Sequence, residues 1–96
     1  MTRRTPRTRV IELLGGDAEF FDKLRRYGIV PSDELTPEQV ERVLVARTLV
    51  FELDVNLPGV EVVLRLRREL LETRIQMTRL ADKLRSDQRI RSGSDE

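Results

Sequence analysis

Asp54-Val55-Asn56-Leu57-Pro58-Gly59-Val60-Glu61-Val62-Val63-Leu64-Arg65-Leu66 is a polar break followed by Leu-Pro-Gly-Val and then a long apolar-periodic run. Asn is a strong helix N-cap, and Pro is tolerated in a first helical turn, where its missing N–H leaves no bond unmade. The stretch predicts a last helix that starts near Asn56 and runs to about Arg85. Within it Val63, Leu66, Leu70, Met77, Leu80 and Leu84 fit the a and d positions of a heptad, with Thr73 at the one polar d position. Val60, Leu64, Leu71 and Ile75 form a second stripe that widens the apolar face of the first half. The wide half is expected to pack on a globular domain. The narrow half, from about Met77, has no partner left in the chain and asks for a second copy or another protein. Leu70, Met77, Leu80 and Leu84 are therefore the candidate self-association residues, and a homo-oligomer is expected. Arg65, Arg67, Arg68, Arg74 and Arg79 suit a solvated face carrying ion pairs with Glu61, Glu69 and Glu72.

Toward the N-terminus, Thr36-Pro37-Glu38-Gln39 places an N-cap Thr, a Pro at the first helical position and a Gln at the third, which is a capping box. It predicts a third helix even though Val43 to Phe51 is rich in β-branched residues that would also suit a buried strand. Pro31 and the polar residues around it make Gly28 to Leu35 a loop or minimal hairpin. Thr8 is expected to cap a first helix with Val10, Ile11, Leu13 and Leu14 facing inward and Gly15-Gly16 as the left-handed stop. Asp17 caps a second helix through Tyr27, and Gly28 closes it. Phe20 and Phe21 are adjacent, so one is expected in the core and the other on the surface, while Tyr27 reads as a core residue with its hydroxyl at the rim. Residues 1–7 read as a flexible basic arm, 8–58 as a helix-turn-helix domain, 59–85 as the long helix and 86–96 as a disordered tail.

Bulk properties narrow the chemistry. Ninety-six residues make one small domain with a modest core. The chain has no Cys and no His, which excludes disulfides, thiolate or imidazole metal sites, and any triad or dyad that needs either residue. The expectation is a non-enzymatic protein with no catalytic residues, no cofactor and no metal. No run approaches the ~18 apolar residues of a membrane span, and the basic N-terminus has no apolar region behind it, so a cytoplasmic protein is expected. Eighteen basic against 17 acidic residues leave a net charge of +1, so binding must come from local patches rather than from the overall field.

The order and spacing of three segments resemble the CbpM-type chaperone modulators, small relatives of the MerR helix-turn-helix fold. They are Thr8-Arg9-Val10-Ile11-Glu12-Leu13-Leu14-Gly15, Leu24-Arg25-Arg26-Tyr27-Gly28-Ile29-Val30, and Asn56 to Leu66. The resemblance as a whole spans roughly residues 8–84. The resemblance implies an all-α fold, a small MerR-like winged helix-turn-helix with a reduced wing at Gly28 to Leu35, followed by a long C-terminal helix. It also implies a partner, the J-domain of a DnaJ- or CbpA-like co-chaperone, and through it a DnaK complex.

Two departures set the branch. MerR activators place an Arg and paired aromatics on the recognition helix, whereas the matching positions here are Asp22, Lys23 and Leu24. From Gly28 to Leu44, Asp33, Glu34, Glu38 and Glu41 oppose only Arg42, so the wing is not built for a phosphate backbone. The acids at the start of the second helix complement its dipole in any case. If they also face a partner, Asp17, Glu19, Phe20 and Asp22 form an acidic-apolar patch suited to the basic helix of a J-domain. The alternative is a MerR-type DNA-binding transcriptional regulator that dimerises through its last helix and uses Arg3 to Arg9 to offset the acids.

Overall fold

The structure, a computed structural model, describes residues 3–94, with side chains described to Arg89. Its elements in chain order are β1 (Thr5–Pro6), α1 (Arg7–Leu13), α2 (Ala18–Arg26), β2 (Glu34–Leu35), α3 (Pro37–Phe51) and α4 (Leu57–Ser94). The chain divides into two compact units, the first ending at Leu64 and the second beginning at Arg65.

Local chemistry places the helix ends. Gly15 and Gly16 adopt positive φ after α1, with the Gly16 N–H donating to the Ile11 carbonyl and the Gly15 N–H to that of Glu12. Gly28 repeats this closure after α2, where the Ile29 N–H reaches the Leu24 carbonyl. Both are Schellman stops, which favour glycine because a Cβ is penalised at positive φ. Asp17 caps α2 by accepting from the Phe20 N–H at 2.9 Å. Thr36 and Gln39 close a complete capping box on α3, with bonds of 3.2 and 2.9 Å, and the β-branched stretch from Val43 is helical. Its buried residues Val43, Ala46 and Leu49 recur every third position, the spacing of a helix face.

The core of the first unit is entirely apolar. Val10 and Leu14 of α1, Phe20, Phe21 and Leu24 of α2, Ile29, Val30 and Leu35 of the connection, Val43, Ala46 and Leu49 of α3, and Val60 and Leu64 of α4 form one buried cluster. The first two turns of α4 thus supply core residues, as the wide apolar half predicted. Leu71 and Ile75, on the same stripe, are exposed.

Several expectations are corrected. The N-terminal segment is not a free arm over its whole length. Thr5 and Pro6 pair antiparallel with Leu35 and Glu34, so β2 pairs with the segment that leads into α1 rather than within a hairpin of its own. Because the chain enters α1 straight from β1, the N-cap is Pro6, which makes no side-chain cap bond, and Thr8 lies inside the helix. Leu13 is exposed because Val10 and Leu14, four apart, with Ile11 partly buried beside them, take the face turned to the core. Tyr27 is at the C-cap of α2, past its last turn, and is exposed. The segment expected to be a disordered tail is helical to Ser94. Met1 and Thr2 of the expected arm, and Asp95 and Glu96 of the expected tail, lie outside the described residues.

The start of α4 explains why a helix-disfavouring Gly follows Pro58. Asn56 Oδ1 accepts from the Gly59 N–H at 2.8 Å. A Cβ on Gly59 would lie 2.8 Å from Val55 Cγ1 and 3.0 Å from that same Oδ1. Ala ordinarily gains ~0.5–1 kcal/mol over Gly inside a helix. Here it must displace the cap, whose loss costs about 1 kcal/mol. Gly59→Ala is therefore expected to lower the thermal midpoint of unfolding, measured by circular dichroism, instead of raising it.

Candidate functional site

The outer surface of α2 was the expected partner-binding site, and the structure divides its four residues. Asp17 is half-buried and is committed to the helix cap. Phe20 is only 5% exposed, with its ring centroid 5.2 Å from that of Phe51 at the end of α3. It belongs to the core and offers no surface contact. Phe21 is fully buried too, under the guanidinium of Arg7, which sits 5.5 Å from its ring centroid. Adjacent aromatics can both be buried because α2 has different neighbours on two sides.

Glu19 and Asp22 remain, one helical turn apart and both exposed. Glu19 is 3.9 Å from Lys23 Nζ, at the limit of an ion pair, and its side chain is 81% exposed. Asp22 accepts from the Arg7 guanidinium at 2.9 Å. Arg25 is likewise held by Asp33 of the connection after α2. Each of these pairs joins groups that are largely solvated, so each adds little to stability. Their effect on recognition is larger. Of the cations on α2, Lys23 and Arg25 already face a carboxylate, and Arg26 faces none among the described residues.

Arg26 borders a feature that the sequence did not single out. Lys23, Arg26, Tyr27 and Leu57 line an open hollow of about 460 Å³. The only advance signal was the step from a basic last turn into Gly28. In the second unit, the proposed self-association residues Leu70, Met77, Leu80 and Leu84 are all exposed. The ion pairs expected of four of that helix's arginines do not form among the described residues. Among the described residues Arg65, Arg68, Arg74 and Arg79 have no carboxylate within 4.0 Å, while Arg85 pairs with Asp82 at 3.0 Å. No group of three or more acidic side chains among the described residues could hold a metal ion. No described helix is long and apolar enough to cross a membrane.

No family model matches the chain, and neither a curated protein nor a solved structure is significantly similar to it.

Arg7 is the residue through which α1 holds α2 from the solvent side, by an ion pair to Asp22 and a cation–π contact to Phe21. Arg7→Ala should cost about 1 kcal/mol in urea denaturation. Asp22→Asn, which removes only the ion pair, should cost less. Added salt should shrink the Asp22 effect more than the Arg7 effect, because screening acts on the exposed pair and not on the ring contact.

Proposed function

We propose that the protein is a non-enzymatic adaptor that binds the J-domain of a DnaJ-like co-chaperone and modulates its work with DnaK, in the manner of the CbpM-type modulators its sequence resembles. The identity of the partner rests on that resemblance over residues 8–84. The geometry supports the accompanying choice of a basic protein surface over nucleic acid. The observation behind this choice is the charge state of α2. Its N-terminus, where a helix ordinarily attracts phosphate, is occupied by the Asp17 carboxylate and followed by Glu19. Lys23 and Arg25 lie against Glu19 and Asp33.

The MerR-like winged helix-turn-helix is part of the same proposal. It is supported by two helices joined through a four-residue turn, a reduced sheet beside them and a long last helix. The contact surface is narrower than sequence alone suggested. Glu19 and Asp22 carry it, with Asp22 exchanging Arg7 for a cation of the partner, while Asp17 and Phe20 hold the helix that presents them. Opposite charge across such a surface raises the association rate and excludes like-charged partners more than it adds affinity.

Glu19→Lys/Asp22→Lys leaves the Asp17 cap and the core intact. Apart from the Arg7 contact it should cost the fold within ~0.5 kcal/mol, which circular dichroism checks. Binding to the cognate J-domain, measured by calorimetry, should weaken by at least about tenfold. Affinity for duplex DNA should rise, because cations then stand where a recognition helix meets phosphates. Sequence-selective DNA binding by the unmutated protein at physiological salt, with no J-domain complex, would replace this reading by the transcriptional regulator.

A further inference from the structure

The end of α2 and the start of α4 border the open hollow of about 460 Å³, which Lys23, Arg26 and Tyr27 line from one side and Leu57 from the other. The first three side chains are exposed and Leu57 is half-buried. Arg26 faces no carboxylate among the described residues, and the Tyr27 hydroxyl has no hydrogen-bond partner among them. Lys23 is held loosely, with Glu19 at 3.9 Å. The hollow thus offers a guanidinium, an ammonium and a phenol as donors, beside the apolar surface of Leu57 and of the Tyr27 ring.

We infer that the hollow is a docking site for a Glu or Asp side chain flanked by apolar residues, presented by an acidic segment of a partner protein. The Arg26 fork takes the two carboxylate oxygens, and Lys23 and Tyr27 donate to the lone pairs that remain. The flanking apolar residues lie on Leu57 and the Tyr27 ring. The shape selects this kind of ligand. A pocket for a free small molecule buries most of that molecule, whereas an open hollow suits a side chain that its own protein holds in place. The site does not depend on which protein the acidic edge at Glu19 and Asp22 meets.

Charge decides between a carboxylate and a phosphoryl group. Lys23 and Arg26 against Glu19 leave one positive charge at the hollow, which one carboxylate neutralises. A phosphate monoester carries about 1.5 to 2 negative charges. It would leave an excess at the C-terminal end of α2, where the helix dipole is already negative. That end tolerates a single anion, because the carbonyls of Lys23, Leu24 and Arg25 are engaged by the N–H groups of Tyr27, Ile29 and Gly28.

Tyr27 is the one tyrosine of the chain, and there is no Trp, so tyrosine fluorescence reports on the hollow alone. The full chain is titrated with the peptide acetyl-Gly-Leu-Glu-Leu-Gly-amide, with the same peptide carrying Gln for Glu, and with inorganic phosphate. The Glu peptide should change the emission saturably, with a dissociation constant on the order of 1 mM. The Gln peptide should bind about fivefold more weakly or worse. Arg26→Gln should weaken the Glu peptide by a similar factor. Arg26→Lys should fall between Arg26→Gln and the unmutated chain, since it keeps the charge and loses the fork. Arg79→Gln removes an equally unpaired arginine elsewhere and should leave binding within about twofold. Circular dichroism checks that these exposed changes preserve the fold. No saturable change up to about 10 mM peptide, equal binding of the Gln peptide, or equal effects of Arg26→Gln and Arg79→Gln overturns the site. Tighter binding of inorganic phosphate than of the Glu peptide overturns the choice of a carboxylate ligand.

Discussion

α2 has nine residues, and it turns Phe20, Phe21 and Leu24 into the core together. That is possible only because both of its ends are fixed. Asp17 sets where the first turn begins, and the Gly28 closure sets where the last one stops, so the helix cannot slide or fray without withdrawing a buried aromatic. Burying side chains of this size contributes roughly 1.5–3 kcal/mol each, against a total stability of about 5–15 kcal/mol for a small domain. α1 meets Phe21 through Arg7 and adds Val10 and Leu14 to the same buried cluster, while α3 meets Phe20 through Phe51. The remaining core residues fill the space these contacts define. No polar side chain is buried among the described residues, so apolar packing alone holds the interior of the first unit.

The signals legible in the sequence were those that act over one turn of chain. The capping box at Thr36, the cap at Asn56 and the glycine stops at Gly15 and Gly28 concern groups within five residues of each other, and each stands where the sequence placed it. The pairing of Thr5 with Leu35 joins residues thirty apart through strands two residues long, too short to show an alternating pattern. The fates of Phe20 and Tyr27 depended on neighbours from other elements. A helical wheel shows which residues share a face, not how many faces will be covered, and here α2 is covered on two.

The same limit applies to the candidate surface. Acidic residues at the start of α2 could be counted in the sequence, but not which of them the fold already employs. The structure assigns Asp17 to the backbone and Asp22 to Arg7, leaving Glu19 the most open of the three. Cations were equally countable, and here too pairing across elements matters more than the count. The Arg25–Asp33 contact joins helix to loop and lowers the positive potential of the helix without removing a single basic residue.

The strand pair at Thr5–Pro6 and Glu34–Leu35 also bears on the order in which the chain can acquire structure. The closures of α1 and α2 use only neighbouring residues and can form as soon as each helix has been synthesised. The N-terminal strand must wait for residue 35, and the core lacks Val60 and Leu64 until the first turns of α4 have emerged. Contacts between distant residues have loop-closure entropy to overcome and tend to set the pace of folding. During synthesis the segment at Thr5–Pro6 emerges before its partner strand and is therefore among the last parts of this unit to find its place. Until then the apolar faces of α1 and α2 stand open to water and to whatever else is near.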